Sequence, residues 1–147
     1  MRLVSFIRQK PLKFVASNAL RTLAGKASRG FSDLAKGCFE ITSWDESPVQ
    51  NGSLGQITRA TAMKEFKGDM CGTSTVEAVM CRLPNEVRAY SGVETFTGEI
   101  NGLSGSVVFT HLGTENKEDR SLSVQILRGS GTGELSGVSG VGENYGS

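Results

Sequence analysis

The stretch GQITRATAMKEFKGDMCGTSTVEAVMCR, residues 55–82, decides how the rest of the chain is read. Two runs of β-branched and apolar residues, Gln56 to Phe66 and Thr73 to Arg82, flank Lys67-Gly68-Asp69. Glycine and aspartate tolerate the positive φ that a right-twisting hairpin turn requires, so the stretch reads as two antiparallel strands. Working outward, short alternating runs bounded by Gly, Asn and Asp recur near Cys38 to Trp44, Val87 to Thr97, Gly105 to His111 and Ser121 to Leu127, with a further run near Glu134 to Val141. Asn101-Gly102 supplies another tight turn. The one long connector, Glu46 to Gly55, is polar enough to lie on the surface or over the end of a barrel.

Composition agrees with this reading. Nineteen glycines would each cost a helix interior about 1 kcal/mol, yet they suit strands that bend sharply to close a small barrel. Closure also removes the sheet edges that so many short strands would otherwise expose. The expected fold class is all-β: a closed antiparallel β-barrel in a single domain over residues 33–147. About 115 residues suffice to bury roughly two thirds of the unfolded surface, and leave no room for a second domain.

Charge divides the chain sharply. Residues 1–32 contain no Asp or Glu but hold seven of the 16 cations: Arg2, Arg8, Lys10, Lys13, Arg21, Lys26 and Arg29. The other nine cations share residues 33–147 with all 15 carboxylates, which puts a net charge of −6 on the body beneath the overall +1. An acid-free, Arg/Lys-rich segment containing Ser and Ala has the composition of an organellar transit peptide. From Leu12 to Ala27 it places Val15, Ala19, Leu20 and Leu23 on one side of a basic amphipathic helix. Arg29-Gly30-Phe31-Ser32 resembles a mitochondrial processing site, with cleavage expected between Phe31 and Ser32. The expected location is mitochondrial; the alternative, a cytoplasmic protein, keeps the segment attached.

Several functions are excluded at this level. No apolar run is long enough for a secretory signal or a membrane span. A body at −6 repels phosphate backbones, so nucleic acid is a poor partner. Three cysteines without a CxxC pair argue against a disulfide framework, and one histidine leaves no zinc cluster. No metal and no cofactor are expected. Gly131-Thr132-Gly133-Glu134 lacks the lysine and helix of a phosphate loop, and Ser104-Gly105-Ser106 lacks the strand-to-helix setting of a nucleophile elbow.

Six separated motifs occur together in the body: Phe39 to Glu46, Thr58-Arg59-Ala60, Phe66-Lys67-Gly68-Asp69, Ser74-Thr75-Val76-Glu77, Gly92-Val93-Glu94 with Phe96, and Gly131-Thr132-Gly133-Glu134-Leu135. In order and spacing, residues 37–142 resemble the domain of unknown function 3224 family, whose members look like antiparallel barrels related to allene oxide cyclase. The resemblance implies about eight strands and establishes no reaction. It departs from the family at Leu103, where relatives often carry Arg, and in the loop after Trp44.

Ionisable residues in strands next to these motifs are the candidate ligand-binding groups: Arg59, Glu77, Tyr90, Glu94 and His111. Glu77 stands between Val76 and Ala78, where a carboxylate must either face water or be paired, with Arg59 the natural partner. A structural Arg/Glu bridge gives the same signal. His111 is suited to proton transfer near neutral pH, or to a hydrogen bond at the rim. Trp44 is expected to plug a barrel end. Val87, Ala89, Ser91, Val93 and Thr95 share one side of their strand, and Arg88, Tyr90, Gly92, Glu94 and Phe96 the other. Both sides are mixed, so alternation alone leaves the core face open.

Three functional readings follow. The first is a barrel that binds a small apolar or amphipathic molecule in its interior. Next comes a cyclase or isomerase that folds an unsaturated lipid-like or polyketide-like substrate by contour and fixed dipoles. The last is a non-catalytic subunit that docks through the sheet exterior in a homo-oligomer.

Overall fold

The computed structural model describes residues 10–18 and 34–144 of the chain. The described residues form eight antiparallel strands: β1 (Lys10–Asn18), β2 (Leu34–Gly52), β3 (Gly55–Gly68), β4 (Met70–Arg82), β5 (Arg88–Ile100), β6 (Leu103–Glu115), β7 (Arg120–Ile126) and β8 (Val138–Asn144). A 3-10 turn, Gly133–Leu135, precedes β8. From β2 to β8 each strand pairs with the next in one sheet. The fold is all-β, as the hairpin signals require.

The tight turns carry the sequence chemistry expected of them. Asn101 and Gly102 have φ of 50° and 78°, which lets Ile100 pair with Leu103 across a two-residue connection. Asp69 at the preceding hairpin does more than turn the chain, because its carboxylate accepts the Lys36 backbone N–H at 3.0 Å. Gly72 and Gly98 face each other across β4 and β5, and a Cβ on Gly98 would lie 2.1 Å from the Cys71 carbonyl oxygen. Only glycine allows the two strands to coil that closely.

Two expectations are corrected. The connector from Glu46 to Gly55 is mostly strand, since β2 runs to Gly52 and pairs with β3 as far as Gly52↔Gly55. β3 offers that polar segment register partners from Glu46↔Ala60 to Gly52↔Gly55, and ladder register overrides composition. Pro48 is accommodated beside a bulge between Pro48 and Gln50. The second correction concerns the expected basic helix from Leu12 to Ala27. Its described part is extended, with Lys10–Asn18 forming β1 between β2 and β8, as in Phe14↔Ala35 and Phe14↔Gly142. Two neighbouring edges supply hydrogen bonds on both sides, whereas a short isolated helix is marginal. The proposed cut between Phe31 and Ser32 lies outside the described residues.

The core fills one end of the space enclosed by the sheet. Phe39, Phe66, Phe96 and Phe109 form a chain of rings at centroid spacings of 5.6, 5.3 and 6.2 Å. Met70, Ile100, Val107, Ile126, Leu135 and Val138 are buried with them. The Gly131–Leu135 run packs against this end of the core: the Thr132 backbone N–H donates to the Ser106 carbonyl at 3.0 Å, and Glu134 accepts the Ser104 N–H at 3.0 Å. A Cβ on Gly105 would lie 2.0 Å from the Thr132 carbonyl oxygen, so the run packs against bare backbone. The motif that superficially resembles a phosphate loop is thus a plug.

Candidate functional site

Alternation along β4 and β5 places Ser74, Val76, Ala78 and Met80, with Tyr90, Glu94 and Phe96, on the inner face. Above the phenylalanine core Val76, Ala78, Met80, Tyr90 and Glu94 border a cavity of about 190 Å³, whose remaining walls include Ile41, Trp44, Ala62, Lys64, His111, Leu122 and Val124. The walls are mostly apolar, with one polar cluster set among them.

That cluster centres on Glu94, which is 1% exposed. Its carboxylate accepts from the Ser74 hydroxyl on one oxygen and from Lys64 Nζ at 2.9 Å on the other. His111 Nε2 lies 2.7 Å from that second oxygen. A carboxylate this deep is unfavourable unless cations and donors surround it. Burial by itself would raise the Glu94 pKa; contact with the His111 imidazole, the Lys64 charge and the Ser74 hydroxyl outweigh that and hold it down to about 2. Glu94 is therefore an anion at neutral pH. Lys64 is fixed from its other side by the Phe39 ring, 4.5 Å from Nζ to the centroid.

Tyr90 stands nearer the open end. Its ring occupies the space left by Gly113, its register partner, where a Cβ would come within 2.2 Å of Tyr90 Cε1. Burial and the Glu94 charge push the phenol up to about 12, against a smaller opposing pull from Arg120. Tyr90 thus presents a neutral hydroxyl, with its ring centroid 6.4 Å from that of His111. Beyond it, Met80, Tyr90, Arg120 and Leu122 also border an adjoining outer space of about 200 Å³, together with Arg82, Arg88 and Glu115. Glu46 accepts from Thr58 at 2.7 Å and from the Trp44 indole N–H at 3.1 Å, and pairs with Arg82 at 3.1 Å. Burial opposes the Glu46 charge, but those three partners lower its pKa. Trp44, 44% exposed, is part of the cavity wall and not a buried plug.

A sequence profile described as "Protein of unknown function (DUF3224)" matches residues 35–145. The chain belongs to the DUF3224 family. A solved structure of a DUF3224 protein of unknown function from Shewanella oneidensis MR-1 is similar at a TM-score of 0.59 and 19% identity, with 76% of this chain and 99% of that chain covered. At that identity the likeness speaks for the fold. No curated protein matches this chain.

Three of the five sequence-predicted site residues of this DUF3224 protein, Tyr90, Glu94 and His111, meet in the cavity. The other two do not. Arg59 and Glu77 lie on the outer face, both exposed, beside a shallow groove that also includes Val79 and Val93. Glu77 accepts the Thr61 hydroxyl on both oxygens at 3.0 Å, and no ion pair joins it to Arg59 among the described residues. Lys64, Ser74 and Arg120 escaped the sequence reading. The Met63-Lys64-Glu65 run looks solvated, yet Glu94 and Lys64 become visible as partners once the hairpin registers are laid out: Lys64 pairs with Ser74, and Glu94 lies on the next strand over.

Proposed function

We propose that this DUF3224 protein binds a small amphipathic molecule in the interior of a closed barrel, with its polar group at Glu94, Lys64 and Tyr90 and its apolar part against the phenylalanine floor. The observation that supports this most is the setting of Glu94: an ion cluster built into the wall of an open, largely apolar cavity, where packing alone would favour hydrocarbon. Two-sided pairing of β1 supports closure, because it bridges the β2 and β8 edges. Trp44 is the single tryptophan and borders the cavity, so its fluorescence reports occupancy. Titration with a panel of small amphiphiles should give saturable quenching that Ala62→Phe, which fills the space without adding a second tryptophan, abolishes. Quenching unaffected by the filling would refute interior binding.

A proton-transferring isomerase or cyclase is the second reading, favoured by Tyr90 and His111 facing the same space as acid and base candidates. Turnover lost in His111→Gln with ligand affinity retained would select it; equal loss of both would not.

The mitochondrial destination stands as a proposal on the acid-free basic composition of residues 1–32. Cleavage after Phe31 would detach β1 from the chain that carries β2 and β8. N-terminal sequencing of protein from its own source decides this, and a chain that still begins at Met1 refutes processing.

A further inference from the structure

The cations of the body are unevenly distributed. Lys64, Arg82, Arg88 and Arg120, four of the nine Lys and Arg after residue 32, border the cavity and its outer space. Among the described residues, Glu94 and Glu115 are the carboxylates that do so. Glu46 neutralises Arg82 at the edge. Arg88 and Arg120 remain, both in register with Glu115, so that a single acid stands between two guanidiniums, and neither makes an ion pair among the described residues. A positively charged entrance in an otherwise acidic domain concentrates anions and repels cations. Guanidiniums also donate paired N–H bonds to two oxygens of a planar carboxylate or of a tetrahedral sulfate.

Resting on the interior-binding reading, we infer that the ligand is an organic anion, with its acidic group held between Arg88 and Arg120 at the mouth and its apolar chain running inward past Tyr90 to the phenylalanine floor. The polar group assigned above to Glu94, Lys64 and Tyr90 is then a second one, further along the molecule than the acid. Lys64 is already committed to Glu94, which leaves the mouth as the place where an unmatched negative charge is met.

Four probes with a common octyl chain separate the terms: octanoate, octyl sulfate, octanol and octylammonium, each titrated against the full chain by Trp44 fluorescence. Octanoate and octyl sulfate should bind at least about tenfold more tightly than octanol, with octylammonium weakest. The double variant Arg88→Gln/Arg120→Gln should remove that advantage and leave octanol unchanged. Both arginines are exposed, so the variant should keep the wild-type thermal midpoint. Octanol binding as tightly as octanoate, or an anion preference that survives the double variant, overturns the anion assignment while leaving interior binding intact. Absence of binding by all four sinks the interior-binding reading and this inference together.

Discussion

Glu77 and Glu94 lie on adjacent strands, each next to valine, each in a family motif, and they meet opposite fates. In register Glu77 faces Val93 and Glu94 faces Val76, so one step of alternation separates the outer surface from the interior. Glu77 rests in water against a threonine hydroxyl, whereas Glu94 is enclosed by a lysine, a histidine and a serine. The difference teaches that neither carboxylate's local sequence carries its role. Its cross-strand neighbours do.

The sharpest way to break the comparison is to neutralise both. Glu94→Gln leaves Lys64 buried without its counter-charge and should cost about 3–5 kcal/mol in denaturant unfolding. A second change, Lys64→Met, should return part of that loss, because the remaining cation is what makes the single variant unstable. Acid provides the same comparison without mutation. A carboxyl held at about 2 when folded, against its ordinary 4.5, contributes stability present above the ordinary value and lost as pH falls toward the folded one. The loss should amount to about 3 kcal/mol between those limits, measured as unfolding free energy against pH and absent in the Glu94→Gln/Lys64→Met pair.

Smaller effects sharpen the inner side. Gly113→Ala drives a methyl group into the Tyr90 ring, so it should cost about 1–3 kcal/mol and weaken quenching of Trp44 by bound amphiphile more than a distant change of equal cost would. Glu77→Gln, the outer control, should stay within about 0.5 kcal/mol of wild type and leave ligand affinity unaltered. A large effect there would mean that the outer groove beside Arg59, Val79 and Val93 carries a role of its own.

Much of the fold was legible in the sequence because hairpins are local. Lys67-Gly68-Asp69 and Asn101-Gly102 sit where the turns occur, and the runs between them extend as strands. The reading failed where long-range pairing decides. Residues 46–52 look like a polar loop until β3 lies beside them, and Lys10–Asn18 look like a basic helix until β2 and β8 offer two edges. The site divided along the same line. Tyr90, Glu94 and His111 stood out as ionisable residues among apolar neighbours, but inward and outward faces of β4 and β5 are equally mixed, so Glu77, with Arg59 on β3 as its expected partner, looked as good. Lys64 was hidden because its burial depends on a carboxylate 30 residues away.

The account depends on an ionised carboxylate standing in the cavity wall, and carboxyl-carbon NMR of Glu94 against pH reads that state directly. A midpoint near 2, with the Lys64 and His111 side-chain resonances shifting in the same step, is the predicted result. A midpoint at or above the ordinary 4.5 would contradict it, since Glu94 would then lack the stabilising contacts with Lys64, His111 and Ser74.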